Sequence, residues 1–555
     1  MRGLFLIAFF GSLAGVAIAK PLHRARATRP AHAKSQSTHH VNRKARTVKA
    51  TVTATAPRIA LDPESPHEQR IRALRDRLDG VLRETPLRRV RVGIEVVTAG
   101  DGDVLFAHNA DKLFNPASNT KILSTAAALT QLGVDYRYPT TLHGPEPDED
   151  GVVHGDVDLR GSGDPSLSSG DLAELAREVA ARGITRIEGS ILANGRFRDA
   201  ANPDLSVGDQ ALILNRNTYA VRVRPTSLGH PALIDIEPYL SDYFTVDNGV
   251  TTVHGKRSRL SFDVRRDSAD RFVVEVKGRI NDRSDTVVRR RLGDGAQFAA
   301  ATLRGALVDF GIEVTGGIRS GALPGRSPLL AEHRSAPLSE ICRVSNKESN
   351  NFVAEAIFRT VGGERFGEPG TLAKGMRAVD DLLAPLHFAP GSYFIENGSG
   401  LTHRNRLQPA GLARLLRHLF FDLSVAPEFL ASLAVGGVDG TIRGRFYGDS
   451  VGRVRAKTGT LSGVSALSGY VGDEGDVLIF SIFVDGFSHR SLAGVRQAQV
   501  QMVRAMLAFL RADRPRPDGA ATYGPARDEV RPPSSGEMTP DEDDDSESDV
   551  SGGGQ

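Results

Sequence analysis

Three short groups of residues in this chain carry side chains suited to acyl transfer: Ser118-Asn119-Thr120-Lys121, Ser349-Asn350-Asn351 and Lys457-Thr458-Gly459, the last followed by Thr460. A serine hydroxyl attacks a carbonyl only once a base takes its proton, and a lysine amine serves as that base only when burial or a neighbouring charge lowers its pKa. Ser118 and Lys121 stand three positions apart where an apolar helical stretch begins, so their side chains share a face and can touch. Lys457 supplies like-charge pressure on Lys121. The N–H groups and positive dipole end of the helix start favour an oxyanion on the attacked carbonyl, and Thr460 offers a second N–H. Gly459 is expected to remove a side chain that would block a substrate backbone. Lys457 and the hydroxyls of Thr458 and Thr460 make a cationic, hydrogen-bonding seat for a terminal carboxylate.

Taken singly these motifs mean little. Ser-x-x-Lys and Ser-x-Asn each arise by chance roughly once or twice in a chain this long, and Lys-Thr-Gly in roughly one such chain in ten. Alone, Ser118 reads as a helix cap, Lys121 as a solvated helix residue and Lys457-Thr458-Gly459 as the end of an edge strand. What separates the catalytic reading from these is that each motif falls on the element its chemistry needs.

Those elements can be read from periodicity. The spacing predicts a helix from Pro66 to Leu82, and the alternation in Val90–Val97, the turn at 99–103 and Val104–Phe106 predict a hairpin. The stretch Ile122–Leu132, with Ser118 just before it and Gly133 just after, predicts the helix that presents the nucleophile. Further helices are expected over 171–181, 297–310 and 352–361, near Gly370 and Pro409, and over 492–510. Val464–Val471 and Val477–Val484 are strongly apolar runs separated by a turn at 472–475, as adjacent central strands of an antiparallel sheet require. The fold class expected is α/β in the α+β sense: an antiparallel sheet flanked by helices, with mainly-β material inserted between the first two motifs.

At 555 residues the chain exceeds what one core usually organises. Residues 61–144 and 294–514 are expected to form a split catalytic domain around an insert at 145–293. Residues 1–19 run from Arg2 through an apolar stretch to Ala17-Ile18-Ala19, the pattern of a cleavable signal peptide, so export to the periplasm or cell envelope is expected. The segment Lys20–Lys49 holds nine Lys or Arg and no acid, and Asp541–Asp549 holds seven acids, so 20–60 and 515–555 read as a basic linker and an acidic tail. The basic linker reads first as a solvated segment, with contact to an anionic membrane or wall polymer as the alternative. The net charge of +3 is too small to imply a nucleic-acid partner. A lone Cys342 permits no internal disulfide and no zinc cluster; His32, His39 and His40 fall in the basic tail, and no His-Glu-x-x-His occurs. Neither metal nor cofactor is expected.

In this order and context the three motifs resemble those of the active-site serine penicillin-recognising enzymes. The long gap between Ser118 and Ser349 narrows the resemblance to the D-alanyl-D-alanine carboxypeptidase/endopeptidase family, the class C low-molecular-mass penicillin-binding proteins, in which extra domains lie between the first two motifs. Leu159–Leu167, Asn397-Gly398-Ser399-Gly400-Leu401 and Gly437-Val438-Asp439-Gly440-Thr441 add to the likeness, which spans about residues 70–510. The resemblance implies that Ser118 is acylated, that Lys121 is the acylation base, that Ser349 with Lys457 relays a proton to the leaving amine, and that Asn351 holds the substrate amide. It implies peptidoglycan stem peptides and cross-links as substrates and β-lactams as inhibitors. Asn397 departs from the usual Asp, and 194–218 lacks the Trp and Tyr-Ala-Pro elements common in the family; both departures are expected to bear on substrate choice. A β-lactamase or esterase on the same fold, and a wall-binding scaffold with a vestigial site, remain the competing readings.

Overall fold

Helix α1 (Pro66–Arg83) begins where local chemistry tells it to. The Ser65 hydroxyl accepts from Glu68 N, the Glu68 carboxylate accepts from Ser65 N, and Pro66 occupies the first turn, where its missing N–H costs nothing. The alternating run that follows is strand β1 (Arg91–Thr98), which turns back as β2 (Val104–His108). Near the C-terminal end come β3 (Ala434–Val435), β4 (Val454–Leu461), β5 (Val464–Asp473) and β6 (Asp476–Asp485). Together they make one antiparallel sheet in the order β3-β4-β5-β6-β1-β2, with β5 and β6 at its centre as their apolar runs require. The computed structural model describes residues 65–195, 211–238, 243–267, 271–292, 295–473 and 475–512, and these belong to one compact unit. The expected signal segment, basic linker and acidic tail lie outside the described residues.

Strand alternation gives the sheet two apolar faces. Val92, Ile94 and Val96 of β1, Leu478, Phe480 and Ile482 of β6, and Val454 and Ala456 of β4 pack under α1 and the last helix, α8 (Leu492–Arg511). The other face, with Val97, Ala466, Tyr470, Ile479 and Phe483, meets α2 (Thr120–Leu132), α4 (Asn351–Phe366), α5 (Leu372–Leu383) and α6 (Pro409–Phe421). Two helices were not anticipated from the sequence: α3 (Leu338–Lys347), which leads into the second motif, and α7 (Ala426–Ser432). α3 is amphipathic, with Leu338, Ile341 and Cys342 buried on one face, but at ten residues it spans fewer than three turns, too short a window for its period to stand out in the chain.

Between the first two motifs a five-stranded sheet runs in the order Ile318–Ser320, Ile191–Asn194, Val157–Gly161, Pro139–His143, Leu329–Arg334. Helices Ser169–Ala181 and Gly295–Asp309 share its apolar core, as do two three-stranded sheets built from residues 218–291. That core draws members from Leu142 to Ala331, a wider span than 145–293. The reason is visible in the pairing. Pro139–His143 and Leu329–Arg334 are antiparallel partners, so the strand that leaves the catalytic sheet region and the strand that returns to it belong to the same small sheet.

Candidate active site

Ser118 sits on a single 3-10 turn, Ala117–Asn119, which feeds into α2. Ala117 is held in the left-handed region at φ 44°, with its N–H bound to Asn115 Oδ1 at 2.8 Å. Such backbone is costly for alanine and persists only where the surroundings impose it. Asn119 Nδ2 donates to Lys457 O at 2.9 Å, tying the turn to β4. Gly459 makes this approach possible: a Cβ there would stand 2.8 Å from Pro116 O and 3.0 Å from the Ala117 methyl. The glycine therefore clears room for the serine turn against the strand, a packing reason that the sequence did not show.

One helical turn on, Lys121 is wholly buried, and its Nζ lies 3.0 Å from Ser118 Oγ. Two acceptors fix that amine: Asn351 Oδ1 at 2.7 Å and Ser399 O at 2.6 Å. Ser399 had not been singled out. It belongs to the Asn397–Leu401 loop, whose Gly398 and Ser399 N–H groups donate to the buried Glu355 carboxylate at 3.2 and 2.8 Å. Asn397 closes the same loop by accepting from Gly400 N at 3.0 Å and is 3% exposed, so it shapes the loop that holds Lys121.

The second motif joins α3 to α4. Ser349 holds φ 60°, and Asn350 caps α4 by accepting from Val353 N at 3.0 Å, which places Asn351 in the first helical turn with Oδ1 toward Lys121. Ser349 Oγ accepts from Lys457 Nζ at 2.8 Å. Period-two alternation on β4 turns Ala456 to the α8 face and Lys457 and Gly459 to the other, so Lys457 is delivered under Ser349. The same alternation sends the hydroxyls of Thr458 and Thr460 elsewhere: Thr458 Oγ1 donates to Thr441 at 2.8 Å, and Thr460 Oγ1 accepts from Arg496 at 3.2 Å. All eight sequence candidates thus meet at the head of α2, although the two threonines project from the far side of the strand.

Burial holds the Lys457 amine well below its ordinary pKa, and the charges of Lys121 and Arg445 act in the same direction. Arg445 is itself pushed down, to about 10, by burial and by Arg496. Arg445 and Arg496 therefore thicken the positive field around β4. Nothing in the sequence marks them, because they come from the 440–447 segment and from α8, far apart in the chain.

A serine and a lysine at the head of a buried helix, against strand β4 next to the edge of such a sheet, place the molecule in the β-lactamase/transpeptidase-like class. The structure aligns with penicillin binding protein 4 from Haemophilus influenzae at a TM-score of 0.61 and 23% identity, covering 78% of this chain and 99% of that one. That protein has also been solved with a β-lactam, at 24% identity to this chain. Residues 74–506 match the D-Ala-D-Ala carboxypeptidase 3 (S13) family, and the chain belongs to it. It is 32% identical over 458 residues to the D-alanyl-D-alanine carboxypeptidase of Actinomadura sp. (strain R39), covering 77% of this chain and 84% of the relative. To carboxypeptidase DacB of Mycolicibacterium smegmatis it is 28% identical, over 70% and 75% of the two chains. Membership makes the chain a peptidase, a hydrolase, which sets aside the scaffold reading.

Proposed function

We propose that this chain is an exported serine-type D-alanyl-D-alanine carboxypeptidase and endopeptidase, which cuts peptidoglycan stem peptides through an ester on Ser118 and is acylated by penicillin at the same atom. The observation that carries this reading is the 3.0 Å approach of Lys121 Nζ to Ser118 Oγ, with Asn351 and Ser399 fixing the amine. As a neutral amine Lys121 takes the hydroxyl proton while Ser118 Oγ attacks the penultimate D-alanine carbonyl. Negative charge on that carbonyl oxygen meets the Ser118 and Thr460 N–H groups. Ser349, bridging toward Lys457, hands a proton to the departing amine as the C–N bond breaks. Water then cleaves the ester. The substrate carboxylate lies along the outer edge of β4 beside Lys457, Thr458 and Thr460, in the field of Arg445 and Arg496. With Oδ1 occupied by Lys121, Asn351 keeps its Nδ2 for a substrate carbonyl. The crystallised complex of the Haemophilus protein with a β-lactam and the resemblance of the motifs support the penicillin step. Export rests on the signal-like residues 1–19 and on the extracytoplasmic location of the substrate.

Incubation with penicillin, followed by intact-mass measurement and peptide mapping, tests the reading. A single adduct on Ser118 is expected, absent in Ser118→Ala and formed more slowly in Ser349→Ala. An adduct on any other serine would overturn the mechanism.

A further inference from the structure

Three successive peptide units of the loop from Asn397 to Gly400 have every polar group taken. Between Asn397 and Gly398, the carbonyl accepts from Asn405 Nδ2 at 3.3 Å and the N–H donates to Glu355 Oε2 at 3.2 Å. Between Gly398 and Ser399, the carbonyl accepts from Ser124 Oγ at 2.7 Å and the N–H donates to Glu355 Oε1 at 2.8 Å. Between Ser399 and Gly400, the carbonyl accepts from Lys121 Nζ at 2.6 Å and the N–H donates to Asn397 Oδ1 at 3.0 Å. Packing confines the same loop. A Cβ on Gly398 would stand 2.4 Å from Phe358 Cβ, and one on Gly400, at φ 81°, would stand 2.0 Å from Ala117 O. The loop is therefore wedged between α4 and the serine turn.

Glu355 holds two of these peptide units at once. Two N–H donors from consecutive residues need two acceptor oxygens, which a carboxylate has and a side-chain amide lacks. Glu355 is 1% exposed, so bulk water does not stand in for it. It lies four residues after Asn351 on α4 and hence on the same face. That face reaches Lys121 twice: directly through Asn351 Oδ1 at 2.7 Å, and through the loop at Ser399 O. A neutral amine has two N–H bonds and one lone pair. With its N–H bonds on Asn351 and Ser399, the lone pair is left toward Ser118 Oγ at 3.0 Å. Were Ser399 O to swing away, rotation about the Cε–Nζ bond would bring a hydrogen to Ser118 in place of the lone pair.

We propose that Glu355 is a positioning residue for acylation: it fixes the loop so that Ser399 O holds the Lys121 amine with its lone pair toward the Ser118 hydroxyl. This rests on the reading of Lys121 as the base in the function proposed above and deepens it. No bond forms or breaks at Glu355; the proton passes from Ser118 Oγ to Lys121 Nζ.

The test measures penicillin acylation by stopped flow over a range of concentrations, which separates the dissociation constant of the initial complex from the acylation rate constant. Wild type is compared with Glu355→Gln, Ser124→Ala, Lys121→Arg and Lys121→Arg/Glu355→Gln, each with a thermal melt. Glu355→Gln keeps the side chain's size but sets an NH2 against one loop N–H. Its acylation rate constant should fall about 10–100-fold, with the dissociation constant within about twofold of wild type. Ser124→Ala releases Gly398 O and leaves Glu355 in place, and should lower the same rate constant by about two- to tenfold. Added to Lys121→Arg, Glu355→Gln should slow acylation by less than about twofold more, because both act through one amine, whereas independent structural losses would multiply. An unchanged rate constant in folded Glu355→Gln, a loss confined to initial binding, or losses that multiply would overturn the role of Glu355. If Glu355→Gln does not fold, Ser124→Ala decides, and a wild-type rate constant there overturns it. Wild-type acylation by Lys121→Arg would overturn the reading of Lys121 as base, and this inference with it.

Discussion

Lys121 and Lys457 are two buried amines that reach one region from opposite sides, and each is anchored by a serine of the site. Burying an ammonium group is costly, and the cost is relieved by deprotonation. The lowered pKa of Lys457 is that relief, with burial as the first cause and Lys121 as the second. Replacing Lys121 by Arg keeps a cation but removes a usable base, because a guanidinium does not lose its proton in a protein. We expect Lys121→Arg to slow penicillin acylation by about 10²–10⁴-fold, measured by stopped-flow or quenched mass spectrometry, with a thermal melt to confirm folding. A folded variant acylated at the wild-type rate would leave Lys121 only a structural cation.

At the scale of elements, the site depends on how closely α2 and β4 approach. Gly459→Ala would drive a methyl against Pro116 O. Neither strand nor turn backbone can yield cheaply, so a stability loss of about 1–3 kcal/mol is expected, with acylation slowed because Ser118 shifts relative to Lys457. Urea unfolding together with acylation kinetics would measure both; an unchanged rate would show that the contact is soft. The same sheet carries a polar row across its catalytic face, in which register aligns Lys457, Ser468, Ser481 and Glu95, with a Ser468–Ser481 hydrogen bond of 3.1 Å. Burial raises the Glu95 pKa from 4.5 to about 7, against the pull of Arg414. Between those two pH values the unfolded carboxyl has lost its proton while the folded one keeps it, so stability falls as pH rises toward 7 and is not recovered above it. Glu95→Gln should then melt higher than wild type at pH 8, by an amount worth about 1–3 kcal/mol, and show no such advantage at pH 4.5. A pH-independent difference would rule out titration of Glu95 as the cause.

For the whole molecule, the question is how an insert of this size leaves the catalytic sheet intact. Gly144 N donates to Pro328 O at 3.1 Å, so the chain enters and leaves through neighbouring backbone. The two parts are not sealed from each other, since Ile213 is buried in the apolar cluster that holds α2 and α4. Excising residues 145–327 and bridging them with a short turn should preserve penicillin acylation. The product should melt lower, because losing Ile213 alone costs about 2–4 kcal/mol and Leu142 and Leu330 lose their cover. Circular dichroism and an acylation assay would decide; a product with no native signal would mean that the catalytic sheet needs the insert.

The sequence alone determined the elements whose signals are local. α1 has its capping box, α2 its apolar face and terminal glycine, and β5 and β6 are continuous apolar runs, so periodicity and caps suffice. The three motifs were readable for the same reason, because Ser118 and Lys121 are neighbours on one helix and the others are short. Only the tertiary structure decided what depends on contacts between distant segments. Gly459 answers to Pro116, Asn397 to Gly400 within a loop anchored by Glu355, and Ser399 to Lys121, while Arg445 and Arg496 converge on β4. Periodicity reports which face of an element is buried, but it carries no information about which remote backbone that face will meet.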